Sequence, residues 1–123
     1  MRSFGTELIL DLHGCNVEKF SRENIEEFLD CLCKFIDMEK IAAHFWEYEG
    51  DPGLSEDEPL HSKGISVVQF IKTSSIVLHT VDEGAAVFLN IFSCKSFRWE
   101  ITVHFVKDWF DGEITNNVFI MRP

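Results

Sequence analysis

The sequence predicts an α+β chain, a two-layer α/β sandwich in which a mostly antiparallel sheet carries two helices on one face. Three observations lead there. Short apolar or alternating runs recur between turn signals, which is the pattern of strands. From Ser21 to Ile36 the apolar residues keep three- and four-residue spacing, the stripe of a helix that packs on one side. Hydrophobic residues make up 46% and aromatics 13% of the 123 residues, twelve of them Phe. That is enough for one domain, residues 1–123, with a modest Phe-rich core.

In chain order, Thr6 to Leu12 carries Leu8, Ile9, Leu10 and Leu12 and reads as the first strand. His13 marks its exit, either as an ordinary polar terminus or as a ligand or proton carrier. Ser21 is suited to N-cap the helix, with Glu23 in its first turn. Ile25, Phe28, Leu29, Leu32, Phe35 and Ile36 form its packing stripe, and Glu26, Glu27 and Asp30 its solvated face. A strand follows over Ile41 to Tyr48. The composition then changes: Glu49 to Pro59 combines Glu49, Asp51, Glu56, Asp57 and Glu58 with Gly50, Pro52, Gly53 and Pro59. This reads as an acidic surface loop, and its spacing does not match a calcium loop. Gly64 to Lys72, Ile76 to His79 and Ala85 to Phe92 read as three more strands, with Val81 to Gly84 as a turn. Over 97–106 two patterns compete. Phe97, Trp99, Ile101, Val103 and Phe105 alternate as in a strand, whereas Trp99, Val103, Val106 and Phe110 fit a helix stripe. Gly112 would suit a helix stop, and Ile114 to Met121 reads as a closing strand.

A net charge of -10 argues against nucleic acid or an anionic membrane surface as a partner, because both would repel the chain. No run approaches the ~20 apolar residues of a spanning helix, and Met1-Arg2-Ser3-Phe4-Gly5 leads into the first strand without an apolar signal core. A cytoplasmic protein is expected. Cys31 and Cys33 are too close for the usual metal-binding arm, and Cys15 and Cys94 lack paired partners, so no metal site is expected. Cys31 or Cys33 should be a buried free thiol.

The reactive side chains concentrate between Thr73 and Cys94. Ser74 is followed five residues later by His79, and Cys94 ends an apolar run. Nucleophile, base and thiol in one stretch suggest a convergent site, since a serine hydroxyl needs a base or a strained backbone to attack. The same three residues scattered between core and surface are the bland alternative.

Residues Thr73 to Glu83 and Asn90 to Cys94 resemble the self-processing region of the small prokaryotic S-adenosylmethionine decarboxylases. That family reads Glu-Ser-His-Ile-Ser-Ile-His-Thr-Trp-Pro-Glu, then a strand ending Asp-Ile-Phe-Thr-Cys. Upstream, Gly64 to Val68 resembles the family's Gly-Val-Ser-Gly-Val, and Gly5 to Cys15 resembles its Gly-x-x-Leu-x-x-Asp-Leu-x-Gly-Cys start. The similarity spans most of the chain, interrupted by one insertion within about Glu49 to Lys63.

The resemblance implies a helix over the ambiguous segment, and a homodimer with active sites near the subunit interface. It implies that Ser74 attacks the Thr73 carbonyl, that the resulting ester eliminates and cleaves the chain there, and that Ser74 becomes a pyruvoyl cofactor. His79 and Ser66 take processing roles. Cys94 returns a proton after carbon dioxide leaves, Glu83 holds the ribose hydroxyls, and Trp46 or Tyr48 stacks on the adenine. Several positions depart from the family pattern. Thr73 and Ser75 replace Glu and His, Val81 and Asp82 replace Trp and Pro, and Asn90 replaces Asp. Losing the Trp ring weakens adenine stacking by about 1 kcal/mol. Three readings follow. The first is decarboxylation of S-adenosylmethionine to supply the aminopropyl donor for spermidine synthesis. The second is the same machinery acting on ornithine or arginine, with Asp82 facing the basic tail. The third is an uncleaved relative serving as a binding or regulatory partner.

Overall fold

The computed structural model describes residues 3–48 and 63–123. The acidic loop expected over Glu49 to Pro59, and the inserted segment up to residue 62, lie outside the described residues. Six strands, β1 (Gly5–His13), β2 (Lys40–Glu47), β3 (Gly64–Ile71), β4 (Ser74–Val81), β5 (Ala86–Ser93) and β6 (Glu113–Arg122), form one sheet. Their spatial order is β2-β3-β4-β5-β1-β6, and every neighbouring pair runs antiparallel. Two helices, α1 (Arg22–Phe35) and α2 (Trp99–Phe110), accompany it, with single 3-10 turns at Val17–Lys19 and Glu83–Ala85.

Successive side chains of a strand point to opposite faces, and the sequence alternates accordingly. Leu8, Leu10 and Leu12 of β1, Ile76 and Leu78 of β4, and Leu89 and Ile91 of β5 are buried in one core with Phe28 and Leu32 of α1 and Val106 and Phe110 of α2. Both helices therefore cover the same face. Aromatic rings join them: Phe28 lies 4.9 Å from Phe110 and 5.6 Å from Trp109 between ring centroids. The alternate residues of the strands form the other face, where Trp46 of β2, Phe70 of β3 and Val118 and Ile120 of β6 are exposed.

Ser21 caps α1 as expected, its Oγ accepting from the Asn24 N–H at 3.1 Å. The conflict over 97–106 resolves as helix because tertiary burial follows the helical stripe: Val103, Val106 and Phe110 are buried. Ile101, which a strand would have turned inward with Val103, is exposed. Trp99 stacks on Phe119 of β6 at 5.3 Å. β4 is longer than expected, starting at Ser74 rather than Ile76, because the turn from β3 takes only Lys72 and Thr73. The stop of α2 is one residue earlier than expected. Asp111, at φ 52°, adopts the left-handed conformation and its N–H bonds to the Lys107 carbonyl. Gly112 serves close packing instead, since a Cβ there would lie 2.4 Å from the Cys15 Sγ.

Phe110 is fully buried between Phe20 and Phe28. Phe110→Ala should therefore cost about 4 kcal/mol of stability, measured as a lower denaturant midpoint with an unchanged slope.

Candidate active site

The residues singled out by the sequence fall into two groups at opposite ends of β4. At its start, Ser74 leaves the two-residue turn, and its Oγ accepts a hydrogen bond from the Cys94 backbone N–H at 3.0 Å. An N–H aimed at this oxygen favours its alkoxide form. Cys94 is exposed and follows directly on β5, where buried Ser93 shapes the exit. Ser93 Oγ donates to the Lys95 carbonyl at 2.7 Å and accepts from the Lys95 N–H at 3.0 Å. Lys95 Nζ in turn reaches the Asp37 carboxylate at 2.8 Å, a bond that holds the Asp37 carboxyl below its ordinary pKa. The Ser74–Cys94 contact is thus built from strand pairing and a pinned β5 exit.

At the other end, Ser66 of β3 stands directly opposite His79 of β4, and Ser66 Oγ lies 2.7 Å from His79 Nδ1. Trp46 of β2 is the cross-strand neighbour of Ser66. These three side chains share the face that the helices leave bare, in a cleft of about 250 Å³ that His44 and Val68 also line. A neighbouring cleft of about 380 Å³ holds Tyr48 and Asp82 with Arg22, Glu47 and Lys63. Glu83 opens the exposed 3-10 turn after β4, at this same end.

The convergence of Ser74, His79 and Cys94 expected from their spacing is therefore corrected within one chain. Ser74 meets Cys94, but His79 stands five residues further along β4, roughly 17 Å at ~3.4 Å per residue. An odd separation also turns the two side chains to opposite faces. His13, whose role the sequence left open, is a polar strand end here: its Nδ1 lies 2.8 Å from Thr115 Oγ1. Glu7 carries no motif signal, yet the register reveals its place. Its carboxylate is bonded by Asn90 Nδ2 and by the Arg122 guanidinium, and its side chain is 16% exposed. A carboxylate thus stands beside the position where Asn90 replaces the family's Asp.

The cysteines are all free thiols. Burial pushes the Cys15 thiol up to about 11, with the Asp111 carboxylate adding to it. Burial likewise pushes Cys33 up to about 11, against the opposing pull of Lys40. Cys31 is only half-buried, so of the two residues expected as a buried thiol Cys33 is the one. Among the described residues no group of three or more His, Cys, Asp and Glu could hold a metal ion.

Alkylation of the native protein should modify Cys94 well before Cys15 or Cys33, as read by peptide mass mapping. Thermal stability should also depend on pH. An unfolded thiol ionises near 9.0, while these two stay protonated in the fold to about 11. Their contribution is therefore complete below about pH 9 and is lost as pH rises towards 11, and Cys15→Ser with Cys33→Ser should flatten that decline.

A sequence model of S-adenosylmethionine decarboxylase matches residues 6–122. An S-adenosylmethionine decarboxylase proenzyme of Clostridium botulinum (strain Langeland) is 30% identical over 110 residues, covering 88% of this chain and 84% of that protein. The proenzyme of Aquifex aeolicus is 24% identical over 102 residues, covering 79% of this chain and 67% of that one. In structure, the adenosylmethionine decarboxylase of Aquifex aeolicus superimposes with a TM-score of 0.78 at 18% identity, covering 99% of this chain and 92% of that chain, which shows the shared fold. The family match over nearly the whole chain and the extent of the Clostridium similarity lead to one conclusion: this chain belongs to the S-adenosylmethionine decarboxylase family of carboxy-lyases.

Proposed function

We propose that this protein decarboxylates S-adenosylmethionine, after cleaving itself between Thr73 and Ser74 and converting Ser74 into a pyruvoyl group. The observation that carries the reading is the placement of Ser74. It sits at a hairpin apex with its Oγ held by the Cys94 N–H, which supports hydroxyl attack on the adjoining carbonyl. The residues present fit the group. Ser74 is half-buried at the end of a strand, beside an exposed thiol suited to deliver a proton. Once formed, a pyruvoyl group supplies an electron-withdrawing carbonyl for loss of carbon dioxide. Cys94 then returns a proton to substrate carbon. Glu83 receives the ribose hydroxyls, and Trp46 or Tyr48 stacks on the adenine in place of the ring that Val81 lacks.

Processing requires Ser66 and His79 as well, and they lie at the far end of β4. A homodimer brings the two ends of β4, from different chains, next to one another. An antiparallel sheet tolerates one solvated face, but here that face exposes Trp46, Phe70, Val118 and Ile120. Packing this face on a second copy, about a two-fold axis that crosses the strands, lays the Ser66–His79 end of one chain over the Ser74–Cys94 end of the other. The substrate is a small molecule, and the acidic chain takes neither nucleic acid nor an anionic membrane as a partner. Neither described helix is long and apolar enough to cross a membrane, which is compatible with a cytoplasmic enzyme.

Intact mass should show two fragments meeting at Thr73/Ser74, and Ser74→Ala should remain whole. A wild-type chain that stays whole after prolonged incubation would favour the uncleaved relative instead. Mixing Ser74→Ala chains with His79→Ala chains, each inert alone, should restore cleavage of the His79→Ala chain only, because one intact site forms across the mixed dimer. Cleavage of His79→Ala chains on their own would remove that assignment. Processed protein should release carbon dioxide from S-adenosylmethionine, with Glu83→Gln weakening binding more than Asp82→Asn. Release from ornithine or arginine alone, with the reverse order of effects, would move the assignment to a basic amino acid bound through Asp82.

A further inference from the structure

The turn that joins β3 to β4 is built from Lys72 and Thr73 alone, and Thr73 has φ +61°. Lys72 is not among the residues with positive φ, so the pair follows the sign pattern of a type II turn. Such a turn takes Gly or Asn at its second central position, and the twist of two-residue hairpins favours primed turns instead. A β-branched side chain in the left-handed region is an outlier. Strain of this kind persists only where the surroundings hold it, and here they do. The Lys72 N–H is tied to the Glu39 carbonyl at 3.0 Å, and Thr73 Oγ1 donates to the Lys72 carbonyl at 2.7 Å. On the other side, Ser74 Oγ is held by the Cys94 N–H at 3.0 Å.

We propose that Thr73 is a positioning residue for self-cleavage, its enforced left-handed backbone straining the Thr73–Ser74 peptide towards attack by Ser74. This rests on the self-cleavage reading above. The step it assists is an isomerisation. Ser74 Oγ forms a bond to the Thr73 carbonyl carbon, the bond from that carbon to the Ser74 nitrogen breaks, and the hydroxyl proton ends on the nitrogen as it becomes an amine. The ester joins Thr73 to Ser74 through Oγ and Cβ, which adds rotatable bonds to the link, so the turn relaxes as the bond exchanges. A glycine at 73 would occupy the same conformation without strain.

The test compares Thr73→Gly with Thr73→Val, which keeps the β-branch, by intact mass over time and by thermal unfolding in an uncleavable Ser74→Ala background. Thr73→Gly should cleave about tenfold more slowly than wild type while raising the melting temperature of the Ser74→Ala protein. Thr73→Val should cleave far faster than Thr73→Gly and leave that melting temperature lower than the glycine variant does. Cleavage of Thr73→Gly at or above the wild-type rate overturns the proposal, as does slower cleavage without the rise in melting temperature, since flexibility would then explain the loss. A wild-type chain that never cleaves overturns the underlying reading together with this one, and so separates the two failures.

Discussion

Pairing of β3 with β4 across a two-residue turn fixes which residues meet in this molecule. In an antiparallel ladder a slip of one residue sends every side chain to the opposite face. The observed register sets Ser66 against His79 and Ile71 against Ser74. Its neighbours follow: Ile76 lies opposite Ile91 on the core side and Val77 opposite Asn90 on the bare side. A slipped hairpin would bury His79 beneath the helices and separate it from Ser66. Hydrophobic burial thus decides the register, and the register decides the chemistry.

Much of the architecture was legible because it rests on local physics. The Leu8, Leu10, Leu12 alternation and the Ile25 to Ile36 stripe each state a period and a buried face, and the structure follows both except at Phe35, which is 43% exposed and stacks on Phe105 of α2 instead of entering the core. The Ser21 cap was legible for the same reason, since a short polar side chain before an apolar stripe has few better uses. At 97–106 the local signal was ambivalent. Only the packing partners, Phe28 beneath Phe110 and Phe119 beneath Trp99, decide for helix, and neither is a neighbour in sequence. Gly112 misled because glycine has two uses. It was read for its conformational freedom but is placed for its lack of a side chain beside Cys15.

Candidate residues could be named from the sequence, but their geometry could not be read there. Spacing placed Ser74 and His79 near one another along the chain, and in a helix five residues would rise only about 7.5 Å. In an extended strand the same five residues become length, so proximity in sequence turns into separation in space. The contact between Ser66 and His79 was invisible for the converse reason, because they are thirteen positions apart with a reversal of chain direction between them. Glu7 and Asn90 are further apart still in sequence, yet adjacent strands bond them. Chemistry carried on a sheet is written across strands, whereas motifs are written along one.

The spatial order of the strands bears on what a break at the hairpin apex does to the molecule. A cut at Thr73/Ser74 leaves one piece with β1, α1, β2 and β3 and another with β4, β5, α2 and β6. In the sheet these pieces interleave: β1 of the first piece is inserted between β5 and β6 of the second, and β3 remains laddered to β4. Neither piece holds a complete core, since the leucines of β1 and the rings of α1 pack against α2 of the other. The nicked chain is thus a woven pair of peptides rather than two modules. Separating them requires unthreading a central strand along both of its edges, so the covalent bond at the apex can be lost without releasing either piece.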